Sequence, residues 1–166
     1  MGVSKHALNG SRFAEGPKNA RVMLVGQNPG REEVKQGRPF VGMAGKYLNR
    51  VLKEKGIDRK QLYLTCVVKE PTPKNRKPAS DEINRWMPDL VREIKEIDPW
   101  IMVLMGRVAW NTPRSEKIEY VETYHPAAAM RFPKVRQKFE KDIETLSRIM
   151  QRRGLSVMEQ IPHVPG

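Results

Sequence analysis

Arg21 to Gly45 reads RVMLVGQNPGREEVKQGRPFVGMAG, and this stretch decides how the chain folds. The apolar run Val22 to Val25, bounded by Arg21 and Gly26, predicts a buried strand. It ends in Gly26-Gln27-Asn28-Pro29-Gly30, a turn whose glycines let the backbone bend sharply or come close to a ligand. A polar segment follows, then a second cluster, Gly37-Arg38-Pro39-Phe40-Val41-Gly42, and a helix that begins near Ala44. Ligands of an open parallel sheet sit beyond the carboxyl ends of its strands. Gln27, Asn28 and Phe40 are therefore expected around one pocket.

Outward from that stretch, strands and helices alternate. Ala44, Tyr47, Leu48, Val51 and Leu52 fall on one helical face, and Gly56 stops the helix. Leu62 to Val68 predicts a second strand, running into a stiff, basic, proline-rich loop over 69–78. Ser80 is expected to cap a helix with Ile83, Met87, Leu90, Val91, Ile94 and Ile97 inward, kinked at Pro88. Ile101 to Met105 predicts a third strand, with a short helix around 108–110 after Gly106. Ile118 to Thr123 predicts a fourth, which leads directly into Tyr124-His125-Pro126. A last helix spans about 133–153, with Val135, Phe139, Ile143, Leu146 and Met150 inward. Residues 1–20 read as an irregular lead-in and 154–166 as an unassigned tail. The pattern predicts one α/β domain, a three-layer α/β/α sandwich around a short, mainly parallel four-stranded sheet.

Composition adds a partner. Over 166 residues, 31 Lys and Arg face 19 Asp and Glu, a net charge of +12. The plain reading is a lysine-rich solvated surface; the sharper one is a polyanion, because phosphate neutralisation releases counterions. Cys66 is the single cysteine, which excludes an internal disulfide and an all-cysteine metal site. No apolar run approaches the roughly 20 residues that span a bilayer, and the N-terminus lacks a signal-peptide core. A cytoplasmic protein, associated with the nucleoid and free of membranes, is expected.

Four blocks occur in order: GQNPG at 26–30, GRPFVGMAG at 37–45, Asn75, Arg76 and Pro78, and TYHPAAAMR at 123–131. Together they resemble the uracil-DNA glycosylase superfamily, most closely its iron–sulfur branch, family 4. The resemblance implies the same three-layer fold and a monofunctional DNA glycosylase. Such an enzyme hydrolyses the bond to uracil or a related deaminated base and leaves an abasic site in base excision repair. It implies a monomer acting on double- or single-stranded DNA that carries a damaged base, flipped out of the stack.

Site residues follow by position. Asn28 stands where the classical uracil enzymes carry an aspartate and other branches an asparagine, and would position the water. An amide is not a carboxylate base, so slower chemistry is implied. Gln27 would contribute contacts near the base. Phe40 would stack on the flipped base beside Gly26. His125 would donate to the base oxygen as negative charge builds. The loop from Pro126 to Arg131 would enter the minor groove, with Met130 or Arg131 filling the space left by the base. Lys69, Lys74, Arg76 and Lys134 are phosphate-contact candidates. The plain alternatives are a turn asparagine, a core phenylalanine and ordinary solvated cations; His6 and His163 read as structural or solvated.

The chain also departs from the family. Family 4 reads GEAPG or GEGPG where this chain has GQNPG. Four cysteines hold its four-iron cluster, whereas this chain has Glu70 and Trp86 at two of those positions. No metal or other cofactor is therefore expected, with Trp86 as a space-filler. The family reads the uracil edge with an asparagine in T-N-V-V-K; here the strand is Thr65-Cys66-Val67-Val68-Lys69. A thiol cannot copy a bidentate amide, so either another group reads the base or the preferred base is not simply uracil. Met105 to His125 is also shorter than its family counterpart. Two other readings stand beside the enzyme: a DNA-binding module that does not cut, and a nucleotide-handling α/β enzyme without the usual phosphate-loop lysine.

Overall fold

The structure is a computed structural model that describes residues 13–158. Four strands, β1 (Val22–Gly26), β2 (Leu62–Cys66), β3 (Ile101–Met105) and β4 (Glu119–Thr123), form one sheet in the order β2-β1-β3-β4. All pairings are parallel, with Val22 opposite both Leu62 and Ile101. Alternate residues face opposite layers. Val22, Leu24, Leu62, Leu64, Ile101 and Val103 pack under α2 (Met43–Glu54) and α6 (Pro133–Arg152). Met23, Val25, Tyr63, Met102 and Leu104 pack under α3 (Ser80–Ile97) and α4 (Arg107–Trp110). Cover on both faces explains why these strands read as continuous apolar runs rather than alternating ones. The expected α/β sandwich is the observed fold.

Local differences have identifiable causes. Helix α1 (Arg31–Gln36) buries no residue, so it has no apolar stripe to announce it. Helix α5 (Pro126–Arg131) occupies what reads as a Pro-Ala loop; proline suits a first helical turn and the alanines propagate it. Ser80 is the first residue of α3 rather than its cap. The amide of Ala79 instead donates to Glu82 Oε1 at 2.8 Å. The same helix runs on through Pro88. In the lead-in, the backbone of Glu15 pairs with Leu64 at the outer edge of β2, and Phe13, Ala14 and Ala20 are buried. The rest of the lead-in, residues 1–12 with His6, and residues 159–166 with His163, lie outside the described residues. Among those described, no helix is long and apolar enough to cross a membrane.

Candidate active site

The chain crosses from β1 to β2 on one side, then from β2 through α3 back past β1 to β3 on the other, so the direction of the connections within the sheet reverses beside β1. At its carboxyl edge lies a cavity of about 490 Å³. Gln27 and Asn28 follow β1, Cys66 ends β2, and His125 follows β4; all line the cavity with Phe40. Asn28, Phe40 and His125, 12 to 97 positions apart in sequence, thus meet at one place.

Asn28 sits in a web of long contacts. Its Nδ2 donates toward Glu70 O and Thr72 Oγ1, and its Oδ1 accepts from Gln27 Nε2, each at 3.4 Å. The side chain is therefore held across to the loop after β2 rather than folded onto its own turn. Phe40 has φ +50° and lays its ring against Gly26, where a Cβ would lie 2.4 Å from Phe40 Cζ. Only glycine at 26 leaves room for the ring.

His125 is the N-cap of α5: its Nδ1 accepts the amide of Ala127 at 3.0 Å. A lone pair engaged on Nδ1 leaves the ring proton on Nε2, so the neutral ring presents a donor. Burial pushes its pKa down to about 4, against the weaker pull of the Glu33 carboxylate. An unfolded histidine takes up its proton near 6.5 and the folded one near 4. Between those values the unfolded state binds more protons, so this contribution to stability is complete above 6.5 and is lost as pH falls towards 4. Denaturant midpoints at pH 7.5 and 4.5 are expected to converge in His125→Asn, relative to the parent, because asparagine keeps a cap without the titration.

Glu33 is a residue that sequence reasoning missed. Its Oε1 accepts from Gly30 N at 2.9 Å, and its Oε2 from Val41 N at 2.9 Å and Gly42 N at 2.8 Å. One carboxylate thus ties the GQNPG turn to the GRPFVG turn. Burial alone would raise its pKa; the amides of Gly42, Val41 and Gly30 outweigh that and hold it below the ordinary carboxylate range. Glu33 stands six residues after Gln27 within a charged helix, and nothing in that pattern marked it. Asn75 also lines the cavity, in a left-handed conformation at φ +58°. It belongs to the block of Asn75, Arg76 and Pro78, where sequence alone assigns it no role.

The other expected site residues are placed as follows. Lys69 is 2% exposed, with Nζ 2.6 Å from Glu93 Oε1, so it is unavailable to phosphate. Met130, expected with Arg131 as a candidate to fill the space left by the base, is half-buried and packs against the core. Arg131 and Phe132 line the cavity, and Phe132 is 53% exposed. Arg76 is exposed and pairs with Glu82, 2.7 Å away, while Lys74 and Lys134 are exposed. Cys66 lines the cavity but spends its proton on Val68 O at 3.2 Å, and burial pushes its thiol up to about 12.

A profile of the uracil DNA glycosylase superfamily matches residues 13–147. The chain belongs to that superfamily. It is 38% identical over 157 residues to the type-4 uracil-DNA glycosylase of Sulfurisphaera tokodaii, covering 80% of this chain and 71% of that one. The corresponding enzyme of Saccharolobus solfataricus is 33% identical over 168 residues, covering 86% and 77%. That of Archaeoglobus fulgidus is 30% identical over 169 residues, covering 88% and 85%. Membership of the superfamily makes the chain a DNA glycosylase, a hydrolase of N-glycosyl bonds.

The cluster of the superfamily's iron–sulfur branch does not fit these residues. The chain's single cysteine, Cys66, is a buried thiol at the end of β2, and such a cluster needs four thiolates. The Glu70 carboxylate accepts from the Trp86 indole Nε1 at 2.8 Å and pairs with Arg85. These side chains cross-link the loop after β2 to α3 without a metal. Among the described residues no group of three or more His, Cys, Asp or Glu is arranged to hold one.

Proposed function

We propose that this chain is a monofunctional glycosylase that removes uracil or a related deaminated base from DNA by water attack. It would act as a cytoplasmic monomer at the nucleoid, with no cofactor. The convergence of Asn28, Phe40 and His125 on one cavity carries the reading. Its volume lies in the range of about 300–1,000 Å³ that suits a bound small molecule. The sugar–base bond breaks with its electron pair leaving on the base nitrogen, and the sugar carbon becomes oxocarbenium-like. His125 Nε2–H donates to the base oxygen where charge develops. The Asn28 amide oxygen orients a water whose oxygen bonds to the sugar carbon, and its proton leaves to solvent. Attack by water rather than by an amine is supported by the cavity wall, which includes no lysine among the described residues.

The net charge of +12 supports a grip on DNA phosphates, through Lys74, Arg76 and Lys134 among others. Phe132, exposed at the cavity mouth, joins Arg131 as the group that fills the gap in the stack. With the Cys66 thiol engaged on the backbone, base identity falls to the amides of Gln27, Asn28 and Asn75.

Duplexes carrying uracil, hypoxanthine or xanthine, incubated with the protein and then with alkali, are expected to break at one of these bases. Asn28→Ala should lower that rate by about 10²-fold, the low end for a group that assists proton transfer. Salt-sensitive binding to all three duplexes with no abasic product would favour the non-cutting module, the reading that Cys66 motivates.

A further inference from the structure

A phenylalanine at φ +50° stays there only if its surroundings hold it. The amide side of the turn is held by Glu33, through Val41 N and Gly42 N. Helix α2 presses from below, since a Cβ on Gly45 would lie 2.1 Å from both the carbonyl carbon and oxygen of Phe40. The carbonyl side is held from outside the cavity, by Arg59.

Arg59 opens the short 3-10 turn Arg59–Gln61 before β2 and is not part of the cavity wall. Its Nη1 donates to Phe40 O at 2.8 Å and to Asn49 Oδ1 at 2.7 Å. Its Nη2 donates to Pro39 O at 2.7 Å and to Glu15 Oε2 at 3.2 Å. The side chain is 16% exposed, and its Nε is buried with no partner. A cation largely removed from water and set across two successive main-chain carbonyls fixes the peptide planes on both sides of Phe40. Only a planar fork reaches both oxygens; an ammonium group meets them one at a time.

We propose that Arg59 is a positioning residue that acts through Phe40, holding the left-handed turn that aims the ring at the base. The proposal rests on the stacking role given to Phe40. Arg59 touches neither His125 nor Asn28, so its loss should weaken capture of the base and leave the chemical step alone.

The test uses the full chain and a duplex with a single uracil, comparing Phe40→Ala, Arg59→Lys, Arg59→Met and the Phe40→Ala/Arg59→Met double variant. Phe40→Ala is expected to raise KM about 10-fold, in the range of base–aromatic stacking. Arg59→Lys and Arg59→Met are expected to raise KM similarly with kcat within about twofold, and the double variant to add little to Phe40→Ala alone. Should Arg59→Met fail to fold, an Arg59→Lys/Phe40→Ala pair carries the same comparison with the charge beside Glu15 retained. If Phe40→Ala leaves KM unchanged, the stacking role falls and the clamp with it. If Phe40→Ala raises KM but the Arg59 effect multiplies in full on top of it, or appears in kcat, Arg59 acts by another route and the clamp alone is overturned. If the parent makes no abasic site, the glycosylase reading falls, and the same cycle is scored on the preference for uracil-bearing over undamaged duplex in a binding titration.

Discussion

His125→Ala is expected to lower kcat on uracil-bearing duplex by about 10²–10³-fold, the usual cost of deleting one donor aimed at developing negative charge. The loss should fall on kcat and on kcat/KM together, because the hydrogen bond strengthens only as the base departs. The geometry adds a second expectation. With Nδ1 occupied by Ala127 N and the pKa near 4, the ring is a neutral donor throughout the ordinary working range. The parent rate should therefore show no inflection near 6.5 from this histidine. Single-turnover rates from pH 5.5 to 8.5 check this, and a step near 6.5 that vanishes in His125→Ala would contradict it. His125→Gln should recover little, since an amide can cap α5 but sets its own donor at a different reach.

The largest expected stability loss comes from Lys69→Ala, about 3–5 kcal/mol by urea denaturation, because it strands a buried carboxylate. Glu93 is 1% exposed. It accepts from Tyr63 OH at 2.7 Å and from Thr65 Oγ1 at 2.9 Å as well as pairing with Lys69 Nζ at 2.6 Å. Lys69 also donates to Thr65 Oγ1 at 3.0 Å and to the carbonyl of Cys66. Total stabilities of about 5–15 kcal/mol leave little margin for such a loss. Lys69→Met combined with Glu93→Gln removes both charges, keeps an acceptor for Tyr63 and Thr65, and is expected to regain most of the loss. If the double variant is no better than Lys69→Ala, the cost lies in packing and not in the unpaired charge.

Lys69 also marks where sequence stopped being informative. The apolar runs of β1, β2 and β3, the helix stripes and the family blocks made the sandwich legible, and with it the edge where Asn28, Phe40 and His125 meet. A lysine in a basic loop reads as a phosphate contact; only tertiary structure shows it folding under the sheet to meet Glu93, itself an acid on a helix that reads as solvated. Glu33 and Arg59 escaped for a related reason. Arg59 uses its charge on main-chain carbonyls 19 and 20 positions away and Glu33 on main-chain amides 3 to 9 positions away, and neither set of partners shows in periodicity or composition. The segment expected to be a loop is helical, which packs the half-buried Met130 against the core and leaves Phe132 beyond its end.

That six-residue helix has one more consequence. His125 stands at its start and Arg131 and Phe132 at its close, and at 1.5 Å per residue the rod between them is about 9 Å long. On the proposed reading, one end meets the extruded base and the other enters the hole it left. The helix then works as a gauge: a nucleotide satisfies both ends only if it swings out by a set distance, and a base still stacked in the duplex engages neither.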